Sequence, residues 1–275
     1  MKTRRKLARL GVSVPALALG LALCFAFFTP ANKLWSASAQ VTSPNGSYGI
    51  LLNQWIDANG TTSALLAVLN FDGAGNITGT YTLVGQTYNV LTGTLTGTYS
   101  GNPDGSNTAN LSLDLGATVT AVVTLTDGGA GLQFMATGGT GIQPGHVVTG
   151  SGRIQSAQGS MPAGSYGLLL NRWPDANNGP QGIFGVVNLD GAGNATGSYT
   201  AAGPGVGPAP ISGTFTGAYS INPDSTGSLT LNLDIGATSK YAIAITEGGA
   251  GVLMLQTEGN GGGLNHVTSG TARLQ

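Results

Sequence analysis

The chain holds one cysteine, Cys24, in 275 residues, so neither a disulfide framework nor a thiolate metal site is open to it. Charge is equally scarce. Charged residues make up 8% of the sequence, and six of the ten Lys and Arg precede Gln40. The remainder carries four bases (Arg153, Arg172, Lys240, Arg273) against eleven acids, a net charge of −7. Between Gln40 and Gly152 there is no Lys or Arg at all. A phosphate-neutralising surface cannot be built from such a chain, which argues against nucleic acids and anionic membranes as partners. No HExxH, no G-x-S-x-G and no cysteine nucleophile is present, and no cofactor is implied. Helical periodicity is missing after Phe28.

The early basic residues belong to an export signal. Lys2, Arg4, Arg5, Lys6 and Arg9 precede an apolar run of 18 residues from Gly11 to Phe28, followed by Ala37-Ser38-Ala39. This order predicts a signal peptide over residues 1–39, cut before Gln40, and hence a secreted protein, periplasmic or extracellular. The A-x-A site favours cleavage over anchoring, leaving the mature chain without a transmembrane segment. Thr3-Arg4-Arg5-Lys6-Leu7-Ala8 also fits a twin-arginine signal, so both export routes stay open. Leu23 lacks the small side chain that precedes a lipid-anchor cysteine.

Repetition is what the chain has in excess. Residues 47–81 match 165–199 at 20 of 35 positions with an offset of 118, and at an offset of 120 the match resumes, pairing Leu91 with Ile211 and His146 with His266. A period near 120 exceeds that of solenoids and gives two tandem domains, 40–155 and 165–275, joined by a short linker at 156–164. Each has enough residues for one core.

Within each repeat, apolar residues alternate with polar ones. Leu111, Leu113 and Leu115 alternate with Ser112 and Asp114, as Leu231, Leu233 and Ile235 do with Asn232 and Asp234. Period two with one apolar face predicts half-buried strands. Asp72-Gly73, Asn102-Pro103-Asp104 and Asp127-Gly128-Gly129, with their second-repeat partners, mark the turns. Eight strands per repeat follow. The expected fold is all-β: two tandem eight-stranded antiparallel up-and-down barrels, avidin- or lipocalin-like, with a two-sheet β-sandwich as the alternative. Leu91, Gly93, Leu95, Gly97 and Tyr99 share one face, and glycine alternating with large residues there suits a coiled strand and a tapering interior. A single sixteen-stranded membrane barrel is the other arrangement that alternation allows, but no aromatic girdle is visible.

The segment DGAGNITGTYTLVGQTYNVLTGTLTGTYSGNPDGS, Asp72 to Ser106, resembles avidin and streptavidin in its rhythm of DG turns and L-T-G-T-Y strands. The resemblance covers about a third of one repeat. It implies a barrel in which Tyr81 matches the tyrosine that donates to the biotin ureido oxygen. The family's serine two positions on is Leu83 here, Tyr199 is followed by Ala201, and each domain has one tryptophan where the family uses several. These departures leave the barrel shape and remove biotin binding. The whole repeat also resembles secreted bacterial domains of unknown function with GSYG and DGxGNxTG signatures, which carry no activity to transfer.

Candidate sites come from recurrence. Asn53, Trp55 and Asp57 recur as Asn171, Trp173 and Asp175, and period two sets each trio on one strand face, where an indole and two polar groups would orient a small molecule or sugar. The competing reading is a tryptophan that plugs one barrel end beside a turn. His146 and His266, the only histidines, fall on the expected interior face, as ligand donors or as rim residues satisfied by backbone and water. Tyr81 and Tyr99, with Tyr199 and Tyr219, are expected to line the lumen. Asp72-Gly-Ala-Gly-Asn76 has too few oxygens for calcium and reads as hairpin chemistry. These residues support an exported, non-catalytic protein binding a small apolar or aromatic molecule or a sugar in the barrel lumen. A structural or adhesive surface module is the second reading, and a secreted hydrolase using Asp57 or His146 the third.

Overall fold

The computed structural model describes residues 43–55, 62–85, 88–140, 146–155, 161, 163–174, 179–204, 206–259 and 266–275. The expected signal peptide lies outside them. The first repeat forms β1 (Asn45–Trp55), β2 (Ser63–Asp72), β3 (Asn76–Gly85), β4 (Tyr88–Gly101), β5 (Asn107–Leu113), β6 (Thr118–Thr126), β7 (Gly131–Gly138) and β8 (Val147–Ile154). The second forms β9 (Gly164–Pro174), β10 (Gln181–Leu189), β11 (Asn194–Ala202), β12 (Ile211–Ile221), β13 (Thr226–Leu233), β14 (Thr238–Thr246), β15 (Gly251–Gly259) and β16 (His266–Leu274).

Within each repeat every strand pairs antiparallel with its sequence neighbours, and the last strand closes onto the first: β1 pairs with β2 and β8, and β9 with β10 and β16. The chain is therefore two closed eight-stranded barrels. The sandwich alternative falls because no edge is left free, and the sixteen-stranded barrel falls because β8 returns to β1 rather than continuing into β9. On β4 the outward threonines Thr92, Thr94, Thr96 and Thr98 are exposed, while the interior is apolar, the reverse of a lipid-facing barrel. No described helix is long and apolar enough to cross a membrane.

Alternation sets the cores. On β1, Tyr48, Ile50 and Leu52 point inward to join Leu69, Phe71, Ile77, Leu111, Val123 and Phe134. Within the expected linker, Met161 is buried in the second core and Gly164 begins β9; residues 156–160 and 162 lie outside the described residues. The inward glycines serve close approach of strands rather than an open interior. A Cβ on Gly97 would lie 2.3 Å from the carbonyl oxygen of Asn110, and one on Gly217 2.0 Å from that of Thr230.

A third apolar cluster joins the barrels. The outward side chains Leu51, Ala64, Leu66, Val68 and Val84 of the first barrel meet Ala244, Leu253, Leu255 and Val267 of the second. Ser269 Oγ donates to Asn53 Oδ1 at 2.7 Å, Gln155 Nε2 donates to the carbonyl of Ile245 at 3.2 Å, and Arg153 Nε lies 3.7 Å from Glu247 Oε1. This interface explains why Leu65 to Leu69 reads as a continuous apolar run: both faces of β2 are covered.

Candidate functional site

The two ends of each barrel differ. At the end carrying the β2–β3 and β6–β7 turns, Phe71 stacks edge-on with Tyr48 and Tyr99, with ring centroids 5.7 and 5.2 Å apart. Tyr48 and Tyr99 hydroxyls donate to the carbonyls of Gly129 and Pro44 at 2.6 and 2.9 Å. In the first barrel these satisfied aromatics plug this end; in the second, Leu189 stands where Phe71 does and the Tyr219 hydroxyl is buried without a hydrogen-bond partner. At the opposite end, carrying the β5–β6 turn, the described side chains stop short of filling the lumen. They leave a cavity of about 300 Å³ in the first barrel and about 320 Å³ in the second.

Leucine dominates the first cavity: Leu52, Leu65, Leu83, Leu91, Leu113 and Leu115 line it, with Gln54 and Ser63 as its polar groups. Gln54 belongs to the inward register of β1. Its Nε2 donates to His146 Nδ1 and its Oε1 accepts from Ser63 Oγ at 2.6 Å. Leu91 and Leu115 remain exposed.

The second cavity keeps the shape and changes the chemistry. Arg172 stands where Gln54 stands, Gln181 where Ser63 does, and Tyr241, Gln256 and Thr268 replace Ala121, Ala136 and Val148. Arg172 Nη2 lies 3.1 Å from His266 Nδ1, and Nη1 donates to Gln181 Oε1 at 3.4 Å. A guanidinium only donates, so His266 Nδ1 accepts, and its Nε2–H donates to Gln256 Oε1 at 3.3 Å. Burial and then the Arg172 charge push His266 down to about 4, so the ring is neutral near pH 7. Burial lowers Arg172 as well, and burial pushes Tyr241 up to about 12. Arg172 Nε and Thr268 Oγ1 are buried with no hydrogen-bond partner, and among the described residues no carboxylate pairs with Arg172.

The structure distributes the residues singled out by sequence. His266 lines the second cavity, and His146 bonds Gln54, which lines the first. Tyr81 and Tyr199 are inward, but their hydroxyls are committed to Asp114 and Asp234 at 2.8 and 3.3 Å; of the two, Tyr199 lines a cavity. Burial and the Asp114 bond push Tyr81 up to about 12. Tyr99 and Tyr219 occupy the plugged end and line neither cavity. Asn53 points outward into the contact between barrels, and Asn171 is exposed on the same outward register. Trp173 shares that register, opposite to Arg172, and does not line the lumen. Trp55 pairs through its backbone with Val147; its side chain, Asp57 and Asp175 lie outside the described residues. Gln54 and Arg172, to which recurrence does not point, each place a polar group in a lumen. Their signal was available, since alternation from Tyr48 through Leu52 sends residue 54 inward.

No family model matches the chain, and no curated protein matches it. Among solved structures, a redesigned β-barrel, mFAP0, bound to DFHBI, aligns over 40% of this chain and 96% of its own at 14% identity, with a TM-score of 0.29. Among the described residues, no three His, Cys, Asp or Glu side chains gather as a metal site needs.

Proposed function

We propose that the protein is an exported binding protein that does no chemistry on its ligand and holds one small, largely apolar molecule in the lumen of each barrel. The observation that carries this reading is the unfilled cavity at the same end of both barrels. Protein interiors are close-packed, and a void of about 300 Å³ lined by leucine exceeds ordinary packing defects; it lies at the lower bound, roughly 300 Å³, of small-molecule sites. Exposed Leu91 and Leu115 on one mouth, and Ile211 and Ile235 on the other, extend the apolar surface outward. A molecule seated there would cover them. The leucine lining favours an apolar or aromatic ligand over a sugar, which would need a fan of polar partners. Export through the signal-like segment at 1–39 fits a protein that meets its ligand outside the cytoplasm. Native mass spectrometry of the protein purified from its own host tests this reading. A co-purifying mass lost on filling the lumina with Leu83→Trp and Ala201→Trp supports it; a retained mass in those variants sinks it.

A structural or adhesive module is the second reading, favoured by the exposed threonine face of β4. It predicts attachment to a surface or partner that lumen-filling variants leave intact.

A further inference from the structure

We propose that the two lumina differ in ligand: the second barrel selects an apolar molecule ending in a carboxylate, and the first a neutral one. This inference rests on the lumen-binding reading. Its basis is the divergence of a duplicated site. Where the first barrel has Gln54 bonded to Ser63 and His146, the second has a guanidinium among neutral groups, with Nε free and the buried Thr268 hydroxyl also unpartnered. Arg172 is half-buried with its Nε out of reach of water, and none of the described carboxylates pairs with it; holding the charge there is costly, and a carboxylate ligand would supply both the counter-charge and the missing acceptor. His266 cannot compete for that role, because its Nδ1 is occupied by Arg172 and its Nε2–H by Gln256.

The test titrates the whole protein near pH 7.5 by calorimetry with decanoate and with 1-decanol, which differ in the head group alone. Wild type, Arg172→Gln and Gln54→Arg are compared, each substitution installing what the other barrel already accommodates. The preference for decanoate over decanol is expected to fall at least tenfold in Arg172→Gln and to rise at the first barrel in Gln54→Arg. Should Arg172→Gln fail to fold, Gln54→Arg decides alone. Binding of both probes with a preference unmoved by either substitution overturns this inference and leaves the lumen reading standing. Binding of neither probe to wild type overturns both.

A second inference comes from the contact between barrels. We infer that copies of this chain associate head to tail, using the same contact that joins the two barrels within one chain. The outward pair Leu51 and Leu66, facing each other across β1 and β2, is buried against β14–β16. Its counterpart, Leu169 opposite Phe184 on β9 and β10, is 51% and 64% exposed. The complementary face has an uncovered counterpart too. Met135 and Val147 stand in the first barrel where Leu255 and Val267 stand in the second, and both are exposed. Polar partners recur with them. Asn53 and Ser269 become Asn171 and Thr149; Arg153 and Glu247 become Arg273 and Asp127; Gln155 becomes Gln275. A third barrel thus finds Leu169, Phe184 and Val186 on one free face, and Met135 and Val147 on the other, where Thr124 and Gln133 stand in place of Ala244 and Leu253. Because the faces differ, the contact is heterologous and propagates rather than stopping at a symmetric dimer.

Sedimentation velocity over a concentration series tests this. Wild type is expected to form species larger than a dimer as concentration rises. Phe184→Asp and Met135→Asp each block one face and should sediment as monomers, while an equimolar mixture of the two should form a dimer through the intact faces. A wild type that stays monomeric, stops at a dimer, or associates equally well with Phe184→Asp overturns the inference. So does a mixture that remains monomeric.

Discussion

Arg172 Nη2 lies 3.1 Å from His266 Nδ1 at the mouth of the second barrel, and the corresponding pair in the first barrel, Gln54 and His146, makes the same contact through an uncharged amide. The histidine is retained while its partner gains a charge. Because a guanidinium cannot accept, the arginine version fixes one tautomer and opposes protonation of the ring.

Acid should therefore weaken the second barrel first. His266 is pushed down to about 4 in the folded protein, by burial first and Arg172 second, against about 6.5 in the unfolded chain. Between those values the unfolded state binds the extra proton, so stability is full above pH 6.5 and falls as pH drops towards 4. The other charged or titratable groups that line the same lumen are Arg172 on β9, Tyr199 on β11 and Tyr241 on β14. Hydrogen bonds hold Asp72, Asp114, Asp190 and Asp234 below the usual carboxylate range. Their contribution is present above about pH 4 and lost below it, outside the histidine window. Urea midpoints at pH 7, 5.5 and 4.5 should fall for wild type and fall less for His266→Gln.

The contact between the barrels should be worth measuring by truncation. Leu66→Ala removes a side chain buried there and should cost roughly 2–5 kcal/mol. Phe184→Ala, the same position on the uncovered face, should cost much less in the monomer. Ser269→Ala leaves Asn53 Oδ1 without its donor and should cost about 1 kcal/mol. Equal losses at Leu66 and Phe184 by urea denaturation would contradict the interface.

Glycine substitutions should separate crowding from backbone conformation. At Gly97 an added Cβ would press on the Asn110 carbonyl, so Gly97→Ala should cost about 1–3 kcal/mol or more. Gly116 has φ +90° and open space around it, so Gly116→Ala should cost about 1 kcal/mol through the backbone alone. Thermal denaturation of the two variants checks the order.

Tyr81→Phe should remove one donor from Asp114 while the Thr94 amide remains. The Asp114 carboxyl, held low first by that amide and second by Tyr81, should then titrate nearer its ordinary value. Carbon-detected NMR of the side-chain carboxyl reads this directly.

Alternation and internal repetition carried the architecture in the sequence, down to eight strands per repeat and the turns at Asp72-Gly73 and Asp127-Gly128. The glycine row on β4 was legible as a sign of coiling but not as strand contact, because crowding against Asn110 depends on a neighbour distant in sequence. The lumen was only partly legible. The recurring Asn-x-Trp-x-Asp is conspicuous because it is identical between repeats, yet Asn53 is a contact residue between the barrels and Asn171 is exposed. Gln54 and Arg172, which differ between repeats, line the cavities. The interface was hidden because Leu65 to Leu69 shows no period, and only the folded second barrel explains an apolar residue on both faces.

The central claim is that each barrel holds a ligand at its β5–β6 end. Calorimetric titration with 1-decanol and with decanoate tests it most directly, comparing wild type with Leu83→Trp, Ala201→Trp and the double variant, since these two equivalent residues line the two cavities. Across the two probes, wild type is expected to show two sites, each single variant one and the double variant none. Absence of binding to wild type, or a stoichiometry that the filled lumina leave unchanged, would contradict it.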